Sequence, residues 1–242
     1  ALLEKYGVDL TSAAIDQIFN ASERHMRSII AEIPNGEFEA ERLIDHDGIE
    51  KDKMINVKVT VKVEDENITF DFTGSDPQAK GYVNSTIPNT VSSCYLALFL
   101  SVGTEVRFNE GALRTISINA PAGTIVNALE PAPVTCCTIS AAQAIIEAVW
   151  LALSQTVPEK VDACWGRWCS PATMGLNPRT GRFFGDIHFM CKGGGGASFG
   201  VDGWDHIGSI VTAGGLRSPD PELHELVNPY TILQYEYWCD SA

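Results

Sequence analysis

The segment INVKVTVKVEDENITFDF, residues 55–72, decides the fold of this chain. Over residues 55–63, apolar side chains alternate without a break with polar ones, which is the pattern of a strand with one buried face. After a polar turn at residues 64–67, the alternation resumes and places both phenylalanines on one side. The two runs therefore predict a β-hairpin.

A polar loop follows this hairpin. The segment DFTGSDPQAKGYVN runs from Asp71 to Asn84, and its first residue lies on the polar face of the second predicted strand. Residues 73–77 are turn formers that release the chain near the strand end. Strand ends followed by polar loops are common positions for chemistry in proteins that mix helices and strands.

Three helices are predicted around the hairpin. Residues 10–33 carry an apolar stripe at three- and four-residue steps, which indicates an amphipathic helix. Residues 86–102 are apolar around most of the circumference, which indicates a buried helix. Residues 140–156 predict a third helix that ends before Pro158. The acid-rich segment 37–47 is interpreted as a polar connector.

Shorter strands are expected at residues 116–118, 183–190 and 231–238. Together these elements predict a mixed α and β (α+β) fold in which antiparallel hairpins and strands pack with three main helices. The boundary between residues 1–130 and 131–242 is a possible division into substructures. Since the chain opens without Met and closes at a predicted strand end, we expect it to be an internal part of a longer polypeptide.

Composition excludes several classes of function. A net charge of −14 without clustered Lys and Arg argues against binding to nucleic acid. No apolar run reaches the roughly 18 residues that a membrane helix needs. The seven cysteines include no CxxC pair, which favours reduced thiols in a cytoplasmic protein over a zinc site.

Two polar or glycine-rich segments have open interpretations. Asn109, Glu110 and Arg114 form a compact polar cluster that either anchors a loop or faces a substrate. The run KGGGGA at residues 192–197 follows a predicted strand, and four glycines are costly unless bare backbone is needed. The run matches no nucleotide-binding motif, so it predicts either an anion-binding nest of N–H groups or tight packing against a neighbouring strand.

An ordered set of motifs along the whole chain resembles the hydantoinase B family. That family also includes the C-terminal part of 5-oxoprolinases and subunits of acetone and acetophenone carboxylases. The motifs are SERHMRSII (22–30), IPNGEFEAE (33–41), ITFDFTGSDPQAKGYVNS (68–85), NEGALRTISINAPAGTIVN (109–127), KGGGGASFGVDG (192–203) and YEYWCDS (235–241).

The resemblance implies a component of an ATP-dependent, multi-subunit enzyme. A hydantoinase A-type partner is expected to bind ATP and phosphorylate a substrate oxygen, and this chain would shelter the activated species from water. The implied divalent metal, such as Zn or Mn, is expected to have its ligands N-terminal to this chain, so no metal ligand is assigned here.

Three functions remain open within this resemblance. The first is carboxylation of a ketone, of the acetone or acetophenone type, with bicarbonate; it is favoured by aromatic residues that would suit an aryl substrate. These aromatic residues are Trp165, Trp168, Phe183 and Phe184. The second is hydrolysis of a cyclic amide such as hydantoin, 5-oxoproline or a lactam, and the third is a non-catalytic scaffold.

The candidate site residues follow from the same motifs. Arg114 could bind a carboxylate or phosphate through both edges of its guanidinium group, and Asp71 or Glu110 could act as a base if burial raises its pKa. These three residues are the predicted catalytic residues, and replacing Asp71 or Arg114 by Ala is expected to abolish turnover. The predicted substrate-binding residues are Thr73, Asn84, Asn109, Gly193, Gly194, Gly195 and Gly196.

Overall fold

A computed structural model describes residues 1–167, 171–188 and 192–236 of the chain. These residues form two compact units. Unit 1 comprises residues 1–164 and 196–203, and unit 2 comprises residues 165–195 and 204–242, of which only the described residues are discussed.

Unit 1 contains a four-stranded sheet with the strand order β1-β2-β3-β4. The predicted hairpin is confirmed, because β2 pairs antiparallel with β3 and places Val61 opposite Phe70. The buried face of β2 consists of side chains that are at most 5% exposed. The strands are β1 (Gly36–Ile44), β2 (Ile55–Glu64), β3 (Asn67–Asp71) and β4 (Ile116–Asn119).

Strand β1 corrects the interpretation of residues 37–47 as a polar connector. It pairs antiparallel with β2 along its full length, although every second side chain is exposed up to Leu43. As an edge strand it needs only one apolar face, and its charged side chains pair across the ladder, as Glu39 does with Lys58 at 2.9 Å. Strand β4 is parallel to β3, so the sheet is mixed.

The three predicted helices are all present in unit 1, with shifted ends. The first begins earlier than expected, at Leu2, and its Gly7 has a positive φ of 76° that interrupts the helical backbone. The third packs on β1, β2 and the second long helix, and only Leu151 within it is exposed. The helices are α1 (Leu2–Ile30), α2 (Ile87–Ser101), the short α3 (Glu110–Leu113) and α4 (Ala141–Leu153).

The position of α4 decides where unit 1 ends. Its apolar side chains complete the core over β1 and β2, and the indole N–H of Trp150 donates a buried hydrogen bond to the Ala97 carbonyl at 2.9 Å. These contacts place α4 within unit 1.

The described part of unit 2 contains one hairpin and one α-helix, and little apolar core. Among its described residues, Ile210 is the single buried apolar side chain. The strand expected at residues 183–190 ends at Ile187, residues 189–190 lie outside the described residues, and residues 231–236 form no strand. The elements are β5 (Ala172–Leu176), β6 (Phe183–Ile187) and α5 (Pro221–Val227).

The described residues also bear on two predictions from composition. The four cysteines described are free thiols, and the other three lie outside the described residues. None of the helices in the described ranges has the length and apolar character needed to cross a membrane.

Candidate functional site

The Asp71 carboxylate lies at the end of β3, beside the end of the parallel strand β4. Its Oδ1 atom accepts hydrogen bonds from the Thr73 backbone N–H and the Asn119 amide, each at 2.9 Å. Burial raises the pKa of Asp71, but the hydrogen bonds from Thr73 and Asn119 outweigh it, and the pKa is lowered. The lowered pKa favours the ionised form of Asp71, and its role as a base stays a prediction.

Asn84 is fully buried and its side chain holds the loop after β3 together. The Oδ1 atom accepts from the Ala79 N–H at 2.6 Å, and the amide group donates to the carbonyls of Ala79, Gly81 and Pro133, each at 2.9 Å. A neighbouring carboxylate, Asp47, accepts hydrogen bonds from three backbone N–H groups of the same region. The polar atoms of Asn84 are thus engaged with backbone, which leaves its amide no free group for a substrate.

Asn109 and Arg114 contact helix α1. The Asn109 Oδ1 atom caps α3 by accepting from the Gly111 N–H at 2.9 Å, and its amide donates to the Ser22 hydroxyl at 2.8 Å. Arg114 donates to Glu23 at 3.0 Å and lowers the pKa of that carboxyl. Glu110 is exposed. These contacts are those of the loop-anchoring interpretation.

The glycine run is in close contact with neighbouring backbone. In unit 2, a Cβ atom on Gly193 would lie 2.8 Å from the Gly166 Cα, and one on Gly194 would lie 2.8 Å from the Trp204 carbonyl oxygen. The Gly195 N–H donates to that same carbonyl at 2.7 Å. In unit 1, a Cβ on Gly196 would lie 1.9 Å from the Ala163 carbonyl oxygen. These contacts correspond to tight packing, one of the two interpretations left open.

The predicted site residues therefore make four separate sets of contacts. Three of the sets lie in unit 1, and Gly193 to Gly195 lie in unit 2. Two other groupings, which the sequence did not suggest, bring functional side chains together.

The first grouping is a cavity of about 270 Å³ in unit 1, here called the Arg42 cavity. Arg42 of β1 lies between Cys164 and the buried Glu147 of α4, with Nη2 donating to the Cys164 Sγ at 3.0 Å and Nε 3.9 Å from the Glu147 carboxylate. The Arg42 Nε atom is inaccessible to solvent and makes no hydrogen bond. The cavity is also lined by Trp150, Ala197 and Phe199. It presents a guanidinium group suited to an oxygen-bearing small ligand.

The second grouping is in unit 2 and comprises Asp186, His188 and His224, here called the Asp186 cluster. One potential ligand atom from each residue lies within 4.8 Å of the others. Asp186 and His188 come from one face of β6 and its continuation, and His224 comes from α5. All three side chains are less than 20% exposed. Two imidazoles and a carboxylate form a donor set suited to a transition-metal ion.

Only part of these groupings is visible in the sequence. Asp186 and His188 stand two residues apart in a predicted strand, so their shared face could have been inferred. Nothing in the spacing indicates that His224 joins them, because α5 brings it back across a long irregular segment. Arg42 was not identified as a candidate residue, because its strand was interpreted as a polar connector.

The chain is similar in sequence to a known protein family and to subunits of two enzymes. The family model described as "Hydantoinase B/oxoprolinase" matches residues 1–242. The beta subunit of a caprolactamase from Pseudomonas jessenii is 32% identical over 100% of this chain and 42% of its own length. The B-type subunit of a putative D-/L-hydantoinase from a Pseudomonas strain is 34% identical over 97% of this chain and 40% of its own length. The chain thus spans about two fifths of the length of these two relatives.

Two solved structures share the fold. The crystal structure of an ATP-dependent caprolactamase from Pseudomonas jessenii superposes with a TM-score of 0.88 and 31% identity, over 97% of this chain and 41% of the other. A nucleotide-free acetone carboxylase superposes with a TM-score of 0.81 over 94% of this chain and 32% of the other. Its identity of 18% supports similarity of fold alone.

Proposed function

Because this chain belongs to the hydantoinase B/oxoprolinase family, we propose that it is part of a subunit of an ATP-dependent complex that hydrolyses a cyclic amide. The observation that carries the proposal is the similarity along the whole chain to the caprolactamase, together with that to the hydantoinase at 34% identity. Both relatives are named for cyclic amides.

The proposal reverses the order of the two enzymatic functions considered from sequence. Ketone carboxylation with bicarbonate was favoured there, on the strength of aromatic residues near residues 165–184. Phe183 is 70% exposed on β6, and neither Phe183 nor Phe184 lines the Arg42 cavity. Carboxylation is therefore the alternative that the substrate test must distinguish from amide hydrolysis.

The proposed reaction divides the work between two subunits. A hydantoinase A-type partner would bind ATP and transfer its terminal phosphoryl group to the amide oxygen. A first water would then add to the same carbon and the C–N bond would break, giving an amine and an acyl phosphate. A second water would hydrolyse the acyl phosphate to a carboxylate and phosphate. The divalent metal implied for the family would be held by residues outside this chain.

We propose that the Arg42 cavity takes part of the substrate. Hydrolysis turns a neutral amide into a carboxylate, and the Arg42 guanidinium group is the cation that the cavity offers to it, beside the carboxylates of Glu147 and Asp162. Asp71 remains a candidate as an ionised acceptor that is held in place by the Thr73 N–H group. Asn84, Asn109 and Arg114 are assigned structural roles.

The reaction is tested with the natively purified complex. ATP consumption is measured with hydantoin, 5-oxoproline and lactams in one set, and with ketones plus labelled bicarbonate in the other. We expect a cyclic amide to drive ADP formation without bicarbonate. Label in an acid-stable product would instead establish carboxylation, and ATP turnover in neither set would favour the scaffold interpretation.

The role of the cavity is tested by Arg42→Met, which keeps most of the side-chain length but removes the guanidinium group. A hydrogen bond to a charged group is worth about 1.5–3 kcal/mol, so kcat/KM should fall by roughly 10- to 150-fold. Arg24→Ala, at an exposed position of α1, is the matched control and should leave kcat/KM unchanged. Equal kcat/KM for Arg42→Met and the wild type would remove the cavity from the proposal.

A further inference from the structure

The Asp186 cluster has the spacing of a coordination sphere. The Asp186 Oδ2 atom lies 3.0 Å from the His224 Nε2 atom and 3.8 Å from the His188 Nδ1 atom. Nitrogen and oxygen ligands bind zinc at roughly 2.0–2.2 Å, which separates neighbouring ligand atoms by roughly 3–3.5 Å. An ion between these three atoms would therefore need only small side-chain adjustments.

The His224 Nε2 atom is buried without a hydrogen-bond partner. It is inaccessible to solvent and makes no hydrogen bond, although the Asp186 Oδ2 atom lies 3.0 Å away. A buried polar atom without a partner costs about 1–3 kcal/mol. A metal ion bound to the imidazole lone pair would remove this cost, and the same carboxylate oxygen would be its second ligand.

Each of the three side chains also has an outer partner, as metal ligands usually do. The Thr173 hydroxyl lies 3.0 Å from the His188 Nε2 atom, on the ring edge away from Asp186. The Tyr230 hydroxyl donates to the Asp186 Oδ2 atom, and the Asn228 amide lies 3.4 Å from the His224 Nδ1 atom. These contacts fix the ring orientations and direct one nitrogen of each imidazole towards the carboxylate.

Unit 2 has a structural need for such an ion. Ile210 is its single buried apolar side chain among the described residues, so burial of apolar surface contributes little to its stability. Small units with weak cores commonly rely on disulfides or metals. The Asp186 cluster joins β6 to α5, two elements with no buried apolar side chain among the residues described in them.

We propose that Asp186, His188 and His224 bind a divalent transition-metal ion, most favourably Zn²⁺, which joins β6 to α5 and stabilises unit 2. Two imidazole ligands disfavour Mg²⁺ and Ca²⁺, which prefer sites made entirely of oxygen. The site is separate from the metal that the family resemblance implies, whose ligands are expected outside this chain. It does not depend on the proposed reaction.

The test is the metal content of the full-length subunit in its complex, measured by mass spectrometry after saturation with Zn²⁺ and removal of excess. We expect Asp186→Asn and His224→Ala each to carry one equivalent less than the wild type, whatever other metal the subunit holds. His206→Ala is the matched control: this histidine lies in the same unit and bonds to Ser218, away from the cluster, and its loss should leave the metal content unchanged.

A second variant separates metal binding from a failure to fold. Tyr230→Phe removes only the hydroxyl that bonds to Asp186, so the ion should remain but bind 10- to 100-fold more weakly, as measured by competition with a chelator. Metal contents of Asp186→Asn and His224→Ala equal to that of the wild type would overturn the proposal. Unaltered zinc affinity in Tyr230→Phe would also contradict it.

Discussion

Strand β2 in unit 1 and strand β6 in unit 2 each pair with an antiparallel neighbour, yet they bury different kinds of side chain. The inner face of β2 carries four valines that are at most 1% exposed. The inner face of β6 carries Phe184 and Asp186, and its continuation carries His188. The first strand is stabilised by apolar burial, whereas the second depends on polar groups that must find partners from elsewhere in unit 2.

The largest difference in unfolding free energy between the two regions is expected when an aromatic side chain is truncated in each. Phe70 on β3 is fully buried, so Phe70→Ala should lower the free energy of unfolding by about 3–5 kcal/mol. Phe183 on β6 is 70% exposed, and Phe183→Ala should change it by less than about 0.5 kcal/mol. Urea unfolding of the full-length subunit measures both. Similar losses for the two variants would contradict the contrast.

The next largest loss of stability is expected from disturbing close backbone packing in unit 2. Gly194→Ala would place a methyl group 2.8 Å from the Trp204 carbonyl oxygen, which should cost about 1–3 kcal/mol. Gly185→Ala on β6 meets no atom within 4 Å and serves as the control. Thermal unfolding monitored by proteolysis of unit 2 compares them. A Gly194→Ala protein as stable as the control would show that the run is not closely packed.

Unit 1 also contains a buried carboxylate, but its partners are backbone groups. Hydrogen bonds from the N–H groups of Glu50, Ile49 and Gly81 lower the pKa of Asp47 despite its burial. Because the folded-state pKa is lowered, the ionised form stabilises unit 1 above the unfolded pKa of about 3.9, and this stability is lost as the pH falls through the folded-state pKa.

This linkage predicts the behaviour of Asp47→Asn. Its melting temperature should be lower than that of the wild type at pH 7, and the difference should narrow as the pH falls below about 4. Asp52→Asn, at an exposed position, is the control, and its melting temperature should equal that of the wild type at each pH. A difference between Asp47→Asn and the wild type that is constant with pH would contradict the assignment.

The smallest effect is expected at the surface of unit 1. The ion pair between Arg114 and Glu23 is partly exposed, and such pairs contribute about 0–1 kcal/mol. Arg114→Ala should therefore lower stability only slightly and, against the expectation from sequence, leave turnover of the complex within about twofold. Loss of turnover in a folded Arg114→Ala complex would restore its catalytic assignment.

The sequence alone was sufficient to predict those helices and strands whose apolar residues repeat with the period of the element itself. The valines of β2 and the apolar stripes of α1 and α4 repeat at short intervals, so strand and helix could be inferred without knowledge of their partners. Strand β1 could not be inferred in this way, because its stability depends on pairing with β2 rather than on its own charged sequence.

The candidate sites depend on encounters between distant residues. Arg42 meets Cys164, and Asp186 meets His224, only because the intervening chain folds back. No local pattern encodes either meeting. Asn84 and Asn109 were selected as polar residues in loops, but the same polarity serves equally to bond a loop's own backbone. Residue type indicated that these positions matter without indicating which role they have.

Hydrogen exchange of the full-length subunit, with and without removal of metal by a chelator, tests most directly whether the two units are stabilised differently. The account predicts slow exchange in β2 and α4 that the chelator leaves unchanged, and exchange in β6 and α5 that becomes markedly faster when metal is removed. Equal protection in both units, unaffected by the chelator, would contradict it.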